Sequence, residues 1–278
     1  MTVDLHTHSL ASDGTLPAAI VVELAASLGL HALAICDHDS VEGVSEACSA
    51  GKRLGIPVVP GVEFSATEGD RSIHVLGYFI DHTDRTLLRA LSSLREARLE
   101  RARDMVALLA ADGFMVDFRD ILATVDGGAI GRAHIAAVLV RSGHAETLEG
   151  AFSRFVGRTA PYFVSKPPVD IATVVSAIHD TGGLAVIAHP GISGADEYLS
   201  KMIASGIDGL EALHAEHTAA QRAHYTSLAV EHGLLITGGS DFHGPDMAGH
   251  SLGAGNVPDE IFERLAAAAG DAARSVLP

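Results

Sequence analysis

Short apolar, β-branched runs alternate with longer Ala/Leu-rich amphipathic stretches along most of the chain, the pattern of repeated strand and helix units. Strands are predicted to begin at Val3, His31, Ile56, Ile73, Leu184, Ile207 and Leu234. Helices are predicted over residues 17–28, 41–54, 85–111, 169–180, 197–204, 219–232 and 258–269, the first with Pro17 in its opening turn. The rhythm breaks at 112–166, where Gly127-Gly128 precedes two helical stretches, 132–141 and 146–155, and no strand is evident. The expected architecture is α/β, a barrel or a doubly wound sheet built from 1–111 and 167–278, with 112–166 inserted as a small helical capping subdomain.

The polar residues at the strand ends carry the chemistry. His6 and His8 end the first strand, and a two-residue period puts them on one face. Asp37, His38 and Asp39 end the second, Glu63 follows the third and His74 opens the fourth. His189 ends the fifth, and Asp241 and His243 follow the last. In barrels and open α/β sheets, residues just beyond the carboxyl ends of the strands converge on one site. Any one of them alone reads better as a loop histidine or an N-cap aspartate. Seven recurrences at equivalent positions do not. Imidazole and carboxylate without thiolate suit zinc, manganese or iron, and Glu63 is the kind of carboxylate that bridges two ions. His214 and His217 follow the sixth strand and face the same mouth, with His217 a candidate substrate contact; Glu211 is a candidate partner to a ligand. His31, His82, His144, His179, His224 and His232 lie away from the strand ends and read as surface residues.

Composition narrows the partners. The chain has 278 residues and is 47% hydrophobic, enough for a large core. A net charge of −16 argues against DNA, a broad nucleic-acid face or an anionic membrane surface. No leader or membrane span is evident, so a cytoplasmic protein is expected. Cys36 and Cys48 suggest neither a disulfide framework nor a zinc finger. Oligomeric state is not encoded in any pattern of the chain.

The stretches "DLHTHSLASDG", "CDHDS", "GVEFSA", "IHVLGY", "AHPG" and "GGSDFHG", in this order along nearly the whole chain, resemble the PHP (polymerase and histidinol phosphatase) superfamily. The resemblance implies a distorted (β/α)7 barrel of seven parallel-type strands and two to three divalent Mn, Fe or Zn ions. It implies one metal on His6, His8, Glu63 and Asp241, a second on Glu63, His74 and His189, and a third on Asp13, His38 and His243. Glu63, Asp241, His189 and His243 become the expected catalytic groups. Asp4, Asp37 and Asp39 become supports that orient imidazoles. Some members carry His at the position of Asp13, and Thr is more usual at Cys36.

Within the inserted segment, "IGRAHIAAVLV" and "APYFVSKPP" resemble the subgroup that hydrolyses small nucleotide phosphates, nucleoside 3',5'-bisphosphates among them, and trims RNA from the 5' end. Ala133 replaces the usual proline. Arg132, His134 and Lys166 are the expected phosphate contacts, Arg132 through its planar fork. The implied reaction is attack of a metal-activated hydroxide on a phosphate monoester, without a covalent protein intermediate. The competing readings are a histidinol-phosphate type phosphatase, an amidohydrolase-like hydrolase of carbon esters or amides, and a noncatalytic metal-bound module.

Overall fold

The computed structural model describes residues 1–69, 71–125, 128–245 and 250–276. Gly127, half of the predicted break, lies outside them. Eight strands form one sheet: β1 (Thr2–Thr7), β2 (Leu33–Ile35), β3 (Val58–Glu68), β4 (Arg71–Tyr78), β5 (Leu184–Ile187), β6 (Gly209–Glu211), β7 (Leu235–Thr237) and β8 (Val257–Pro258). Their spatial order is β7-β6-β5-β4-β3-β2-β1-β8. The sheet curls almost into a barrel. The segment after β7 closes it against β1: Leu5 N donates to Gly238 O, Asp241 N to His6 O, and His8 N to Phe242 O, at 3.2, 2.9 and 2.8 Å.

Two features differ from the sequence expectation. The barrel is not built of seven parallel-type strands, because β4 runs antiparallel to both β3 and β5. Only two residues separate Glu68 from Arg71, too few for a crossover helix, so β3 and β4 must form a hairpin. The eighth strand, β8, pairs antiparallel with β1 and is two residues long, below the length at which periodicity shows.

The helices follow the apolar pattern, and one of them organises the site. Helix Arg85–Ala111 begins at Asp84, whose carboxylate accepts from Thr86 N and Leu87 N. Its buried stripe is Leu87, Leu91, Arg98, Ala102, Met105 and Leu109, spaced for one helical face. Leu87 and Leu91 join the barrel core with Val62, Ile73 and Ile178. Ala102, Met105 and Leu109 join a separate core with Ile121, Ile135, Leu139 and Phe155. Residues 112–166 include helices Phe118–Leu122, Arg132–Arg141 and Leu148–Ala151, the last continuing as one π-helical turn, Phe152–Val156. The long helix is thus a spine whose two halves belong to two cores. No helix among the described residues is long and apolar enough to cross a membrane.

Candidate metal centre and adjoining cavity

All nine predicted ligands meet at the barrel mouth. The ligand atoms of His6, His8, Glu63 and Asp241 lie within 4.8 Å of one another, as do those of His8, Asp13, His38 and His243, and those of His38, Glu63 and His74. Glu63 stands at the centre with its two oxygens facing different imidazoles. Its Oε1 is 2.7 Å from His74 Nδ1 and 3.1 Å from His189 Nε2. Its Oε2 is 3.4 Å from the Nε2 atoms of His6 and His8 and 2.9 Å from His38 Nδ1. Asp241 Oδ1 lies 3.0 Å from His8 Nε2, and Asp13 Oδ1 lies 3.2 Å from His243 Nε2. His74 is the fourth residue of the antiparallel β4, opposite Ser65 of β3.

The donor set fits divalent cations. Asp13 Oδ1, His38 Nδ1, Glu63 Oε2 and His74 Nδ1 are buried and make no hydrogen bond, a costly state for polar atoms unless an ion takes their lone pairs. Burial would raise the Glu63 carboxyl, yet His38, His74 and His6 hold it well below the usual carboxylate range. Against burial, His38 and His243 do the same for Asp13, and His6 and His243 for Asp241. Burial pushes His8 and His74 down to about 4, leaving neutral imidazoles. Ionised carboxylates and neutral imidazoles are the forms that coordinate metals. The reverse pull appears at His243: burial lowers it, but Asp13 and Asp241 bring it up to about 10. Three clustered carboxylates call for positive charge.

Backbone geometry is bent to deliver these groups. Asp39, His189 and Asp241 have φ of 48°, 29° and 54°, left-handed values unfavourable for side-chain-bearing residues. A Cβ on Gly239 would stand 2.5 Å from that of His6, so only glycine lets the closing segment approach β1.

The supporting residues divide differently from expectation. Asp4 accepts from Ser240 N, Ser240 Oγ and Gly253 N, pinning the Asp241 turn to β1. Asp37 accepts from Ser9 N, Ser9 Oγ and Ser12 Oγ, and Ser12 Oγ stands 3.4 Å from His8 Nδ1, so it reaches an imidazole through one hydroxyl. Asp39 orients no imidazole. It takes Arg98 Nε and Ser65 N instead, because its turn faces the long helix rather than the ligands. Glu211 is the direct support: His6 Nδ1 donates to its Oε1 at 3.0 Å and His189 N to its Oε2 at 2.7 Å. That bond leaves His6 Nε2 toward Glu63 and Asp241.

Beside the cluster opens a cavity of about 260 Å³, lined by Asp13, His38 and His74 together with Arg132 and Lys166. Arg71, Arg98, Arg101 and Arg158 also line it; none stood out in the sequence. Six of the chain's 19 Lys and Arg residues thus gather here on an acidic protein. Arg98 and Arg101 occur at i,i+3 on the long helix, a spacing that shares a face without telling which way that face looks. Burial, with Arg98, Arg101 and Arg132 nearby, pushes Lys166 down to about 7 against the pull of Asp39.

His134 and His217 are placed elsewhere. His134 Nδ1 accepts from Gly131 N at 2.8 Å and the ring also bonds the Ser12 backbone, so it caps its helix and ties the inserted segment to the loop after β1. His217 Nε2 accepts from Gly191 N at 3.2 Å, while its Nδ1 donates to Ala212 O at 3.0 Å, and the residue is buried. Both rings serve backbone rather than the cavity. His214 is buried against the cluster, its Nε2 3.8 Å from Asp241 Oδ2.

Comparison with known proteins agrees with this geometry. Residues 4–153 match the PHP domain family. A 3',5'-nucleoside bisphosphate phosphatase from Chromobacterium violaceum is 36% identical over 90% of this chain and 90% of its own length. A 5'-3' exoribonuclease from Haemophilus influenzae is 36% identical over 87% and 90%. A crystal structure from Bifidobacterium adolescentis, assigned as a metal-dependent phosphoesterase, superposes with a TM-score of 0.89 at 35% identity, covering 96% of each chain. With the ligand cluster, the barrel and these relatives in agreement, the chain belongs to the PHP family of metal-dependent phosphoesterases.

Proposed function

We propose that this protein hydrolyses phosphate monoesters of small nucleotides, with a nucleoside 3',5'-bisphosphate converted to the nucleoside 5'-monophosphate as the favoured reaction and short RNA 5' ends as a further substrate. The observation that carries this reading is the pairing of a carboxylate-bridged imidazole cluster with a wall of cations in one small cavity. A carbon ester or amide would leave that wall without a counter-charge.

His6, His8, Glu63 and Asp241 would hold one ion, Glu63, His74 and His189 a second, and Asp13, His38 and His243 a third, as two or three Mn, Fe or Zn ions. When bound, such ions supply hydroxide near neutral pH and neutralise charge on phosphoryl oxygens. Glu63 keeps two imidazole groups at a fixed separation through its two oxygens. Asp4, Asp37 and Glu211 hold ligands in orientation through the bonds described above. Arg132 and Lys166 bind phosphate at the cavity wall, and Arg98, anchored by Asp39, keeps that wall in register with the cluster. The segment 112–166 acts as the cap that closes the wall over the mouth. We assign this activity to the cytoplasm, where nucleotide substrates of this class occur.

Phosphate release is expected to be faster from a nucleoside 3',5'-bisphosphate than from histidinol phosphate; the reverse order in a substrate panel would move the protein to another branch of the family. Arg132→Ala should raise KM while metal content stays intact.

A further inference from the structure

Among the described residues, two of the cations on the cavity wall, Arg101 and Arg132, carry charge without a counter-ion. Arg98 has Asp39. Arg101 and Arg132 have neutral partners: Arg101 Nε donates to Val164 O at 2.6 Å, and Arg132 to Val156 O at 3.5 Å. Among the described residues, no carboxylate oxygen lies within 4.0 Å of either guanidinium. Their shared support is an aromatic ring. The Arg101 guanidinium carbon lies 5.2 Å from the centroid of Phe163, and that of Arg132 lies 5.6 Å from the same ring and 5.7 Å from Phe152.

Holding two guanidiniums together is unfavourable unless something offsets it. Burial, with Arg132 and Arg98 beside it, pushes Arg101 down to about 10. A ring face attracts each cation and leaves the planar forks free of carboxylates, so their donors stay available to a dianion. Phe163 also begins the strap that supplies Val164 O to Arg101 and carries Lys166 to the same cavity. Ring, carbonyl and lysine therefore converge on the cavity from one four-residue stretch, which supplies none of the candidate ligands.

We propose that Phe163 is a specificity-determining positioning residue: its ring aligns Arg101 and Arg132 as a clamp for a second phosphate of the substrate, the one that is not hydrolysed. The inference rests on the nucleotide phosphatase reading above. It makes the enzyme a reader of two phosphates at once, with a monophosphate ester filling only the metal side.

The test compares metal-loaded wild type, Phe163→Leu and Phe163→Tyr on adenosine 3',5'-bisphosphate and adenosine 3'-monophosphate. Adenosine 5'-monophosphate binding, read by calorimetry, reports the clamp alone. Phe163→Leu should raise KM for the bisphosphate and weaken 5'-monophosphate binding by about tenfold each. Its kcat and its KM for the 3'-monophosphate should stay within about twofold of wild type, since the metal side is untouched. Phe163→Tyr keeps the ring face and should restore both losses. Equal changes on the two esters, or no change in 5'-monophosphate binding, would overturn the proposal. If wild type hydrolyses neither ester, the phosphatase reading fails, while the calorimetry still decides the clamp. Should Phe163→Leu not fold, Arg101→Lys removes the fork from the same clamp and should reproduce the selective loss; an unselective effect there also overturns it.

Discussion

Glu211 sets what His6 can do. With Nδ1 donating to its buried carboxylate, His6 has Nε2 left for a cation, and the same carboxylate fixes the His189 backbone. Glu211→Gln keeps the shape but accepts through only one oxygen, so metal affinity should fall about 10- to 100-fold with the fold retained. Chelator competition measures this, and unchanged affinity would refute the support role. Lys166 offers a pH prediction. Held at about 7 against a reference of 10.5, it is charged below pH 7 and increasingly neutral above. KM for an anionic substrate should therefore climb above pH 7, and Lys166→Arg, charged throughout, should flatten the profile. The stability sign is opposite: between about 7 and 10.5 the unfolded chain binds more protons than the native one at this residue, so its contribution grows with rising pH. The convergence of the candidate ligands was legible because strand ends carry a fixed geometric meaning. The aim of Asp39, His134 and His217 was not, since short polar side chains in turns choose between backbone and site by contacts no local pattern records.

Among elements, the helix Arg85–Ala111 bears the most consequence. Arg98 leaves it to bond Asp39, Ser65 Oγ and Ile130 O, joining β2's turn, β3 and the inserted segment. Both partners of the Asp39 pair are buried, so Arg98→Met should cost about 3–5 kcal/mol by stranding a carboxylate. Urea denaturation would show it, and a loss near that of an exposed pair would contradict the assignment. The helix bounds at 85–111 and 132–141 were readable from amphipathic period alone. The direction of β4 was not stated by the apolar pattern, which looks identical for a strand run either way; the two-residue link to β3 held that information. The cations on the long helix escaped notice for a related reason: their meaning depends on where 112–166 folds back.

At the scale of the whole molecule, charge is separated. A chain of net −16 concentrates cations around one cavity beside the buried Glu63 and the half-buried Asp13 and Asp241. Metal binding to the native state alone should raise stability by about 2.7 kcal/mol at a free concentration of 100 Kd. Thermal melts with manganese and with chelator measure the difference, and coincident melts would count against a native-state centre. The β1 contact with residues 238–242 has a consequence for biosynthesis. One donor group draws on positions 6, 8, 63 and 241, so a growing chain on the ribosome cannot assemble it until residue 241 has emerged. Metal capture by that group then waits for Asp241, and a fragment truncated before it leaves the ribosome with the group incomplete.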